Sequence, residues 1–144
     1  MSQNPQIAIL EANRFMRSPD EAASFEQALT ELAQNPDLSD LPKLHLILDD
    51  ACQQPEVMFS LVHFLESFAL QEQLQAFVQV LPSLVKSAAA WTAILHIRII
   101  NDAEAQIALE EMLQSMSSQK REEIRQLFSF ASVKQPSTQE TRVA

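Results

Sequence analysis

His45, Asp49 and Cys52 carry an imidazole, a carboxylate and a thiol at intervals of four and three residues. On a helix this spacing places all three on one face, where they could contribute ligands to a metal ion. No second helix offers further ligands in an evident pattern. We therefore favour an ordinary helix with a partly buried cysteine and an exposed His45–Asp49 pair, and we expect neither a metal nor another cofactor.

The sequence shows no pattern typical of a catalytic site. Cys52 has no basic residue near it in sequence, and the neighbouring Asp49 and Asp50 would raise the thiol pKa rather than lower it. The three histidines fall on separate predicted helices, so no nucleophile–base pair is recognisable. The chain has no glycine, which excludes the usual glycine-rich phosphate-binding loops. We predict that the protein is not an enzyme.

Asp49 and Asp50 are nevertheless unusual in their predicted place, the last turn of a helix. The helix macrodipole disfavours negative charge there by a few tenths to about 1 kcal/mol for each residue. One interpretation is structural, with the two acids serving the start of the next helix at Pro55. The other is that they contact a basic partner. The sequence alone leaves both interpretations open.

The net charge of −9 is concentrated in one half of the chain. Residues 18–85 contain eleven acidic residues and a single basic one, Lys43, whereas acids and bases cancel from residue 86 onward. This distribution argues against direct binding of nucleic acid, which requires clustered Lys and Arg. We predict that a basic protein partner docks on the surface formed by residues 18–72, with these acids as the best candidates for contact: Asp49, Asp50, Glu56 and Glu66.

The composition and the helix-capping and helix-breaking residues predict an all-α fold of about seven or eight helices. Hydrophobic residues make up 47% of the chain, and the lack of glycine argues against a β-rich domain with its hairpin turns. Capping signals such as Ser18-Pro19-Asp20-Glu21 mark helix starts. The predicted helices lie near residues 5–16, 19–34, 40–51, 55–69, 74–81, 89–100, 103–113 and 118–131.

A faint repeat suggests how these helices are arranged. Leu41-Pro42-Lys43-Leu44 recurs forty residues later as Leu81-Pro82-Ser83-Leu84, each time before an apolar helix. A period near forty is typical of stacked antiparallel helical hairpins of the HEAT or armadillo type. We expect a single domain over residues 1–131, with the apolar helix 89–100 at its centre. A flexible polar tail is expected over residues 132–144.

Arg98 lies in that most apolar helix and is expected to be paired, because an unpaired buried charge costs several kilocalories per mole. Asp102, one turn further on, is the nearest candidate partner. Trp91, seven residues before Arg98, is expected in the core or in a groove. Asn101-Asp102-Ala103-Glu104 resembles a further capping box and predicts the start of the next helix.

The stretch that contains Leu81-Pro82-Ser83-Leu84, Trp91, Ile94, Leu95 and Arg98 to Asn101 resembles immunity proteins of bacterial polymorphic toxin systems. The closest resemblance is to the helical family numbered thirty among them, and it spans roughly residues 40–130. From this resemblance Trp91, Arg98 and Asn101 are taken as residues that specify the fold, not as toxin contacts.

The resemblance implies a protein that binds the C-terminal domain of a cognate toxin, as in contact-dependent growth inhibition, and blocks its active site. Such toxins are often nucleases with basic clefts, which an acidic inhibitor would cover. The alternative is a helical-repeat adaptor for a basic cellular partner. The single cysteine, the lack of a signal peptide and the lack of a membrane-spanning apolar run lead us to expect a cytoplasmic protein without membrane contact.

Overall fold

The computed structural model describes residues 4–133, and within them the chain is all-α, as predicted. Eight α-helices and one 3-10 turn, Leu38–Asp40, follow one another without a strand in this part of the chain. The helices are α1 Pro5–Asn13, α2 Pro19–Gln34, α3 Leu41–His45, α4 Pro55–Glu66, α5 Leu70–Ser87, α6 Ala89–Ile100, α7 Ala103–Gln114 and α8 Ser118–Val133.

Local capping explains where several helices begin. The Ser18 hydroxyl accepts a hydrogen bond from the backbone N–H of Glu21 at 3.2 Å, and the Glu21 carboxylate accepts one from the N–H of Arg17 at 2.8 Å. Asn4 caps α1 by accepting from the N–H of Gln6 at 2.9 Å. These contacts satisfy backbone donors that the first helical turn leaves unpaired.

The chain turns between α1 and α2 without glycine by placing Met16 in the left-handed region, with φ of 48°. This conformation costs an ordinary residue about 1–2 kcal/mol. The Met16 side chain is fully buried, and its burial offsets that cost. The first helix therefore ends at Asn13, and the prediction that it continues to residue 16 is wrong.

Helix α3 is much shorter than predicted. It ends at His45, and a series of turns follows where the sequence predicted helix up to residue 51. Leu44, Ile47 and Leu48 are buried as the periodicity required, whereas Ala51 is exposed. Asp49 and Asp50 therefore lie in the loop between α3 and α4, residues 46–54, and not in the last turn of a helix.

Helix α5 packs against α3, α4, α6, α7 and α8. The prediction that residues 89–100 form the central helix is correct only for one side. Trp91 and Leu95 are buried, but Ile97, Arg98 and Ile100 are exposed. Helix α1 packs on α2, and α2 contacts α4.

The two Leu-Pro sequences do not occupy equivalent places. Pro42 lies in the first turn of α3, whereas Pro82 lies inside the continuous helix α5, which neither ends nor restarts there. The repeat therefore marks no structural period, and the HEAT-like stack stays a prediction. Helix α8 includes Ser132 and Val133, and the rest of the predicted tail lies outside the described residues. None of the helices described is long and apolar enough to cross a membrane.

Candidate binding site

Asp49 lies in the loop 46–54 and is almost wholly buried, with 8% of its surface exposed. Its carboxylate accepts a hydrogen bond from the backbone N–H of Ala51 at 2.8 Å and pairs with Arg14 at 3.8 Å. Arg14 also donates to the carbonyl of Leu46 at 3.4 Å. Asp49 thus ties the loop to the end of α1.

Asp50 is exposed, but both of its carboxylate oxygens are engaged at the start of α6. Oδ2 accepts from the N–H of Ala90 at 2.9 Å and Oδ1 from the N–H of Trp91 at 3.2 Å. The Asp50 N–H in turn donates to the carbonyl of Ser87 at 3.0 Å. Asp50 therefore caps a helix forty residues away, and not the helix that begins at Pro55.

The other two predicted contact acids lie at opposite ends of α4. Glu56 is in the first turn, is exposed, and has no ion pair or side-chain hydrogen bond within the described residues. Glu66 is the last residue of the helix, roughly 15 Å away along the axis. Glu56 and Glu66 therefore lie at opposite ends of α4, and that the four acids contact one partner stays a prediction.

Arg98 is paired, but with Glu66 rather than with Asp102. Its Nε and one terminal nitrogen donate to the two carboxylate oxygens of Glu66 at 2.6 and 2.8 Å. These hydrogen bonds raise the pKa of Arg98 above its ordinary value. The side chains of Arg98 and Glu66 are 39% and 30% exposed, so the pair lies at the surface and joins the ends of α4 and α6.

Asp102 instead caps α7. Its Oδ1 accepts from the N–H groups of Glu104 at 3.1 Å and Ala105 at 3.2 Å. Asn101 is exposed and follows the last residue of α6. Trp91 is buried in α6 and meets the ring of Phe59 edge-on, with the ring centres 5.1 Å apart. A helix therefore starts where the capping box at residues 101–104 predicted one, but its N-cap is Asp102, and Glu104 accepts no hydrogen bond from Asn101 within the described residues.

A surface groove of about 500 Å³ brings several of these side chains together. It lies where α4 turns into α5 and α6 turns into α7. Its polar lining consists of Glu66, Gln73, Arg98, Asn101, Asp102 and Glu104. Four residues singled out from the sequence line this groove. The sequence predicts Glu66 as a partner contact and Arg98, Asn101 and Asp102 as structural residues.

His45, Asp49 and Cys52 do not share one helix face, because α3 ends at His45. His45 is buried, not exposed, and its Nδ1–H donates to the carbonyl of Leu41 at 2.9 Å while its ring stacks on Phe77. Burial lowers its pKa to about 4. Burial also raises the pKa of Cys52. Within residues 4–133 no group of three or more His, Cys, Asp or Glu side chains could hold a metal ion.

Sequence reasoning missed two long-range links, the cap of α6 by Asp50 and the pair between Glu66 and Arg98. The partners are separated by forty and thirty-two residues, so no local pattern joins them. The buried state of His45 had a weak signal, since it follows Leu41 and Leu44 on the apolar face of the short helix.

Comparison with known proteins gives a family match. The family model of Immunity protein 30 matches residues 12–109, which include α2 to α6 and the whole groove. No curated protein and no solved structure gives a significant match. Because the matched residues make up more than half of the chain, the protein belongs to the Immunity protein 30 family.

Proposed function

We propose that this protein is the antidote to a cognate bacterial toxin, whose C-terminal domain it binds and neutralises. The observation that carries this proposal is the membership in an immunity-protein family over residues 12–109. The matched region contains the entire acid-rich segment 18–85, so the feature that suggests a basic partner belongs to the family region. Binding alone suffices for inhibition, so the function requires no catalysis and no cofactor.

The charge distribution favours a toxin with a basic surface, such as a nuclease whose cleft holds a phosphate backbone. An acidic protein placed over that cleft would compete with the nucleic acid for the same cations. Opposite fields would also steer the two proteins together and raise their association rate. Such steering matters for an antidote, which must reach the toxin before the toxin reaches its target in the cytoplasm.

We keep the surface formed by residues 18–72 as the proposed docking region. Within it Glu56 is exposed and unpaired among the described residues. Glu66 lines the groove at the edge of this region, and the other side of the groove is formed by residues outside 18–72, including Asp102 and Glu104. Asp49 and Asp50 have structural partners, so a direct contact with the toxin would add to those roles. Variants of these two acids therefore require a stability measurement beside every binding measurement.

Expression with the toxin domain encoded by the gene directly upstream tests this function. We expect the two proteins to co-purify, the toxin to lose activity in the complex, and cells that express both to survive. Association should slow as salt is added, because the steering charges are screened. The control is an unrelated helical protein that has the same net charge but a different distribution of charged residues.

A toxin that neither binds this chain nor is inhibited by it would overturn the proposal. If the chain instead captured a basic cellular protein and gave no protection, the result would favour the helical adaptor. Enzymatic assays of the toxin on nucleic acid and on other substrates would then identify its activity independently of the binding result.

A further inference from the structure

The groove at the ends of α4 and α6 is lined by both apolar and acidic side chains. Phe68, Leu70, Ile99 and Ala105 contribute apolar surface, of which Phe68 and Leu70 are half-buried and the other two are buried. The charged residues of the lining are Glu66, Arg98, Asp102 and Glu104. Because Arg98 neutralises Glu66, the lining as a whole carries two uncompensated negative charges.

The two uncompensated carboxylates have capacity left for a ligand. Asp102 uses only Oδ1 to cap α7, and Oδ2 accepts no hydrogen bond from the described residues. Glu104 is exposed and its carboxylate pairs with no cation in the described part of the chain. This differs from Asp50, both of whose oxygens are engaged by backbone N–H groups.

We propose that this groove receives an arginine or lysine side chain of the toxin, an inference that rests on the proposed function. The aliphatic stem packs on Phe68 and Ile99, and the cation pairs with Asp102 and Glu104. Arginine and lysine bury their stems on apolar surface while their charge stays with polar groups. Arg98, held by both oxygens of Glu66, shows that a guanidinium fits beside this groove.

Two other grooves fit a basic side chain less well. The groove between α2 and α4 is lined by one acid, Glu26, beside His63. The groove between α6, α7 and α8 has apolar walls, and its only charged residues, Glu110 and Arg125, pair at 3.4 Å. The latter also extends beyond residue 109, whereas the groove proposed here lies wholly within the family match.

Two variants test the proposal with the toxin domain encoded directly upstream. Asn101→Arg places a competing cation in the groove, and we expect it to weaken binding about tenfold or more. The pair Asp102→Asn and Glu104→Gln removes both uncompensated charges, while Asn remains a good N-cap for α7. We expect this double variant to bind about tenfold more weakly and to dissociate faster.

The control pair is Glu122→Gln and Glu123→Gln on α8, which changes the net charge by the same two units away from the groove. A loss common to both double variants measures general steering, and the excess at the groove measures the proposed contact. Melting temperatures establish that each variant is folded; if Asn101→Arg fails this check, the double variant decides alone.

If the wild-type chain binds the toxin and the groove variants lose no more affinity than the control pair, the groove proposal is overturned and the function stands. If the wild-type chain does not bind the toxin, the proposed function itself fails. Suppression of the defect of Asp102→Arg by an Arg→Glu or Lys→Glu change on the toxin would identify the side chain that enters the groove.

Discussion

The loop 46–54 and the groove at the ends of α4 and α6 both contain neighbouring acids, and both use an aspartate to cap a helix. In the loop, both carboxylate oxygens of Asp50 accept hydrogen bonds from the first turn of α6, and Asp49 is buried against Arg14. In the groove, one carboxylate oxygen of Asp102 accepts hydrogen bonds from the first turn of α7, and Glu104 has an exposed carboxylate. The loop acids use both of their carboxylate oxygens within the fold, whereas Asp102 uses one to cap α7 and the Glu104 carboxylate has no partner among the described residues.

The difference shows why local charge density is a poor guide to a binding surface. Asp49-Asp50 is the most concentrated acidic pair of the segment 18–85 that lies outside a helix start, yet backbone N–H groups and an arginine take up its carboxylates. Acids are as useful to unpaired helix N-termini as to a basic partner. The burial of each acid and the number of its carboxylate oxygens without a partner distinguish the two uses.

The largest effect is expected from His45, which lies beside the loop and shares a small cavity with Glu66 of the groove. Burial lowers its pKa from 6.5 to about 4, so between these values the unfolded chain binds a proton that the folded chain does not. Stability therefore falls as the pH drops from about 6.5 to about 4. The loss should approach roughly 3 kcal/mol, since each pKa unit corresponds to 1.36 kcal/mol.

Urea unfolding at several pH values measures this effect, and His45→Gln is the matched variant. His96, whose pKa burial also lowers, and the carboxyl groups are present in both proteins. The difference between the two pH profiles therefore isolates His45. A wild-type profile parallel to that of the variant between pH 6.5 and 4 would show that His45 is not held neutral by the core.

The second effect separates the two capping aspartates. Asp50→Asn leaves one acceptor oxygen for two backbone N–H groups and turns an amide NH₂ towards the other. We expect the free energy of unfolding to fall by about 1–2 kcal/mol, the usual cost of a lost cap or of a lost charged hydrogen bond. Denaturant unfolding measures it, with Glu56→Gln as a control that should stay within about 0.5 kcal/mol. Equal stability of the two variants would mean that Asp50 is not a structural acid.

These two aspartates also show how far the sequence predicts the structure. The cap by Ser18 and the start of α7 are predicted from the sequence because the capping residues and their N–H partners lie within three residues of each other. The cap by Asp50 joins residues forty positions apart, and no periodicity reports such a contact. The apolar pattern of Leu44, Ile47 and Leu48 predicted their burial correctly, but it could not show that the helix ends at His45.

The same limit explains the partner of Arg98. Its position predicted a paired guanidinium, and the structure confirms the pairing. Asp102 was the nearest acid in sequence, but its side chain points to the start of its own helix, and Glu66 comes from another helix. Four of the ten residues that line the groove are thus predicted from the sequence as isolated residues, without the fold that joins them: Glu66, Arg98, Asn101 and Asp102.

The Glu66–Arg98 pair should contribute less to stability than Asp50, although its hydrogen bonds are short. Both side chains are about a third exposed, and exposed pairs typically contribute 0.2–1 kcal/mol. We expect a double-mutant cycle with Glu66→Gln and Arg98→Met to give a coupling energy below about 1 kcal/mol, which decreases in salt. A coupling of several kcal/mol, as expected for a buried pair, would place this end of the groove in the core.

The smallest effect is expected at Asp102, and it completes the comparison. Asp102→Asn keeps an amide oxygen for the N–H groups of Glu104 and Ala105, because a single oxygen accepts both bonds. Asn and Asp are nearly equal as N-caps, so the change should cost less than about 0.5 kcal/mol, part of it from the lost charge at the helix N-terminus. Asp102→Ala, which removes the oxygen, should cost about 1 kcal/mol. Thermal unfolding of Asp102→Asn, Asp102→Ala and Asp50→Asn allows the stability losses of the three variants to be compared. A cost for Asp102→Asn as large as that for Asp50→Asn would show that the second oxygen of Asp102 is also engaged in the fold, and the carboxylate would then have no capacity left for a partner.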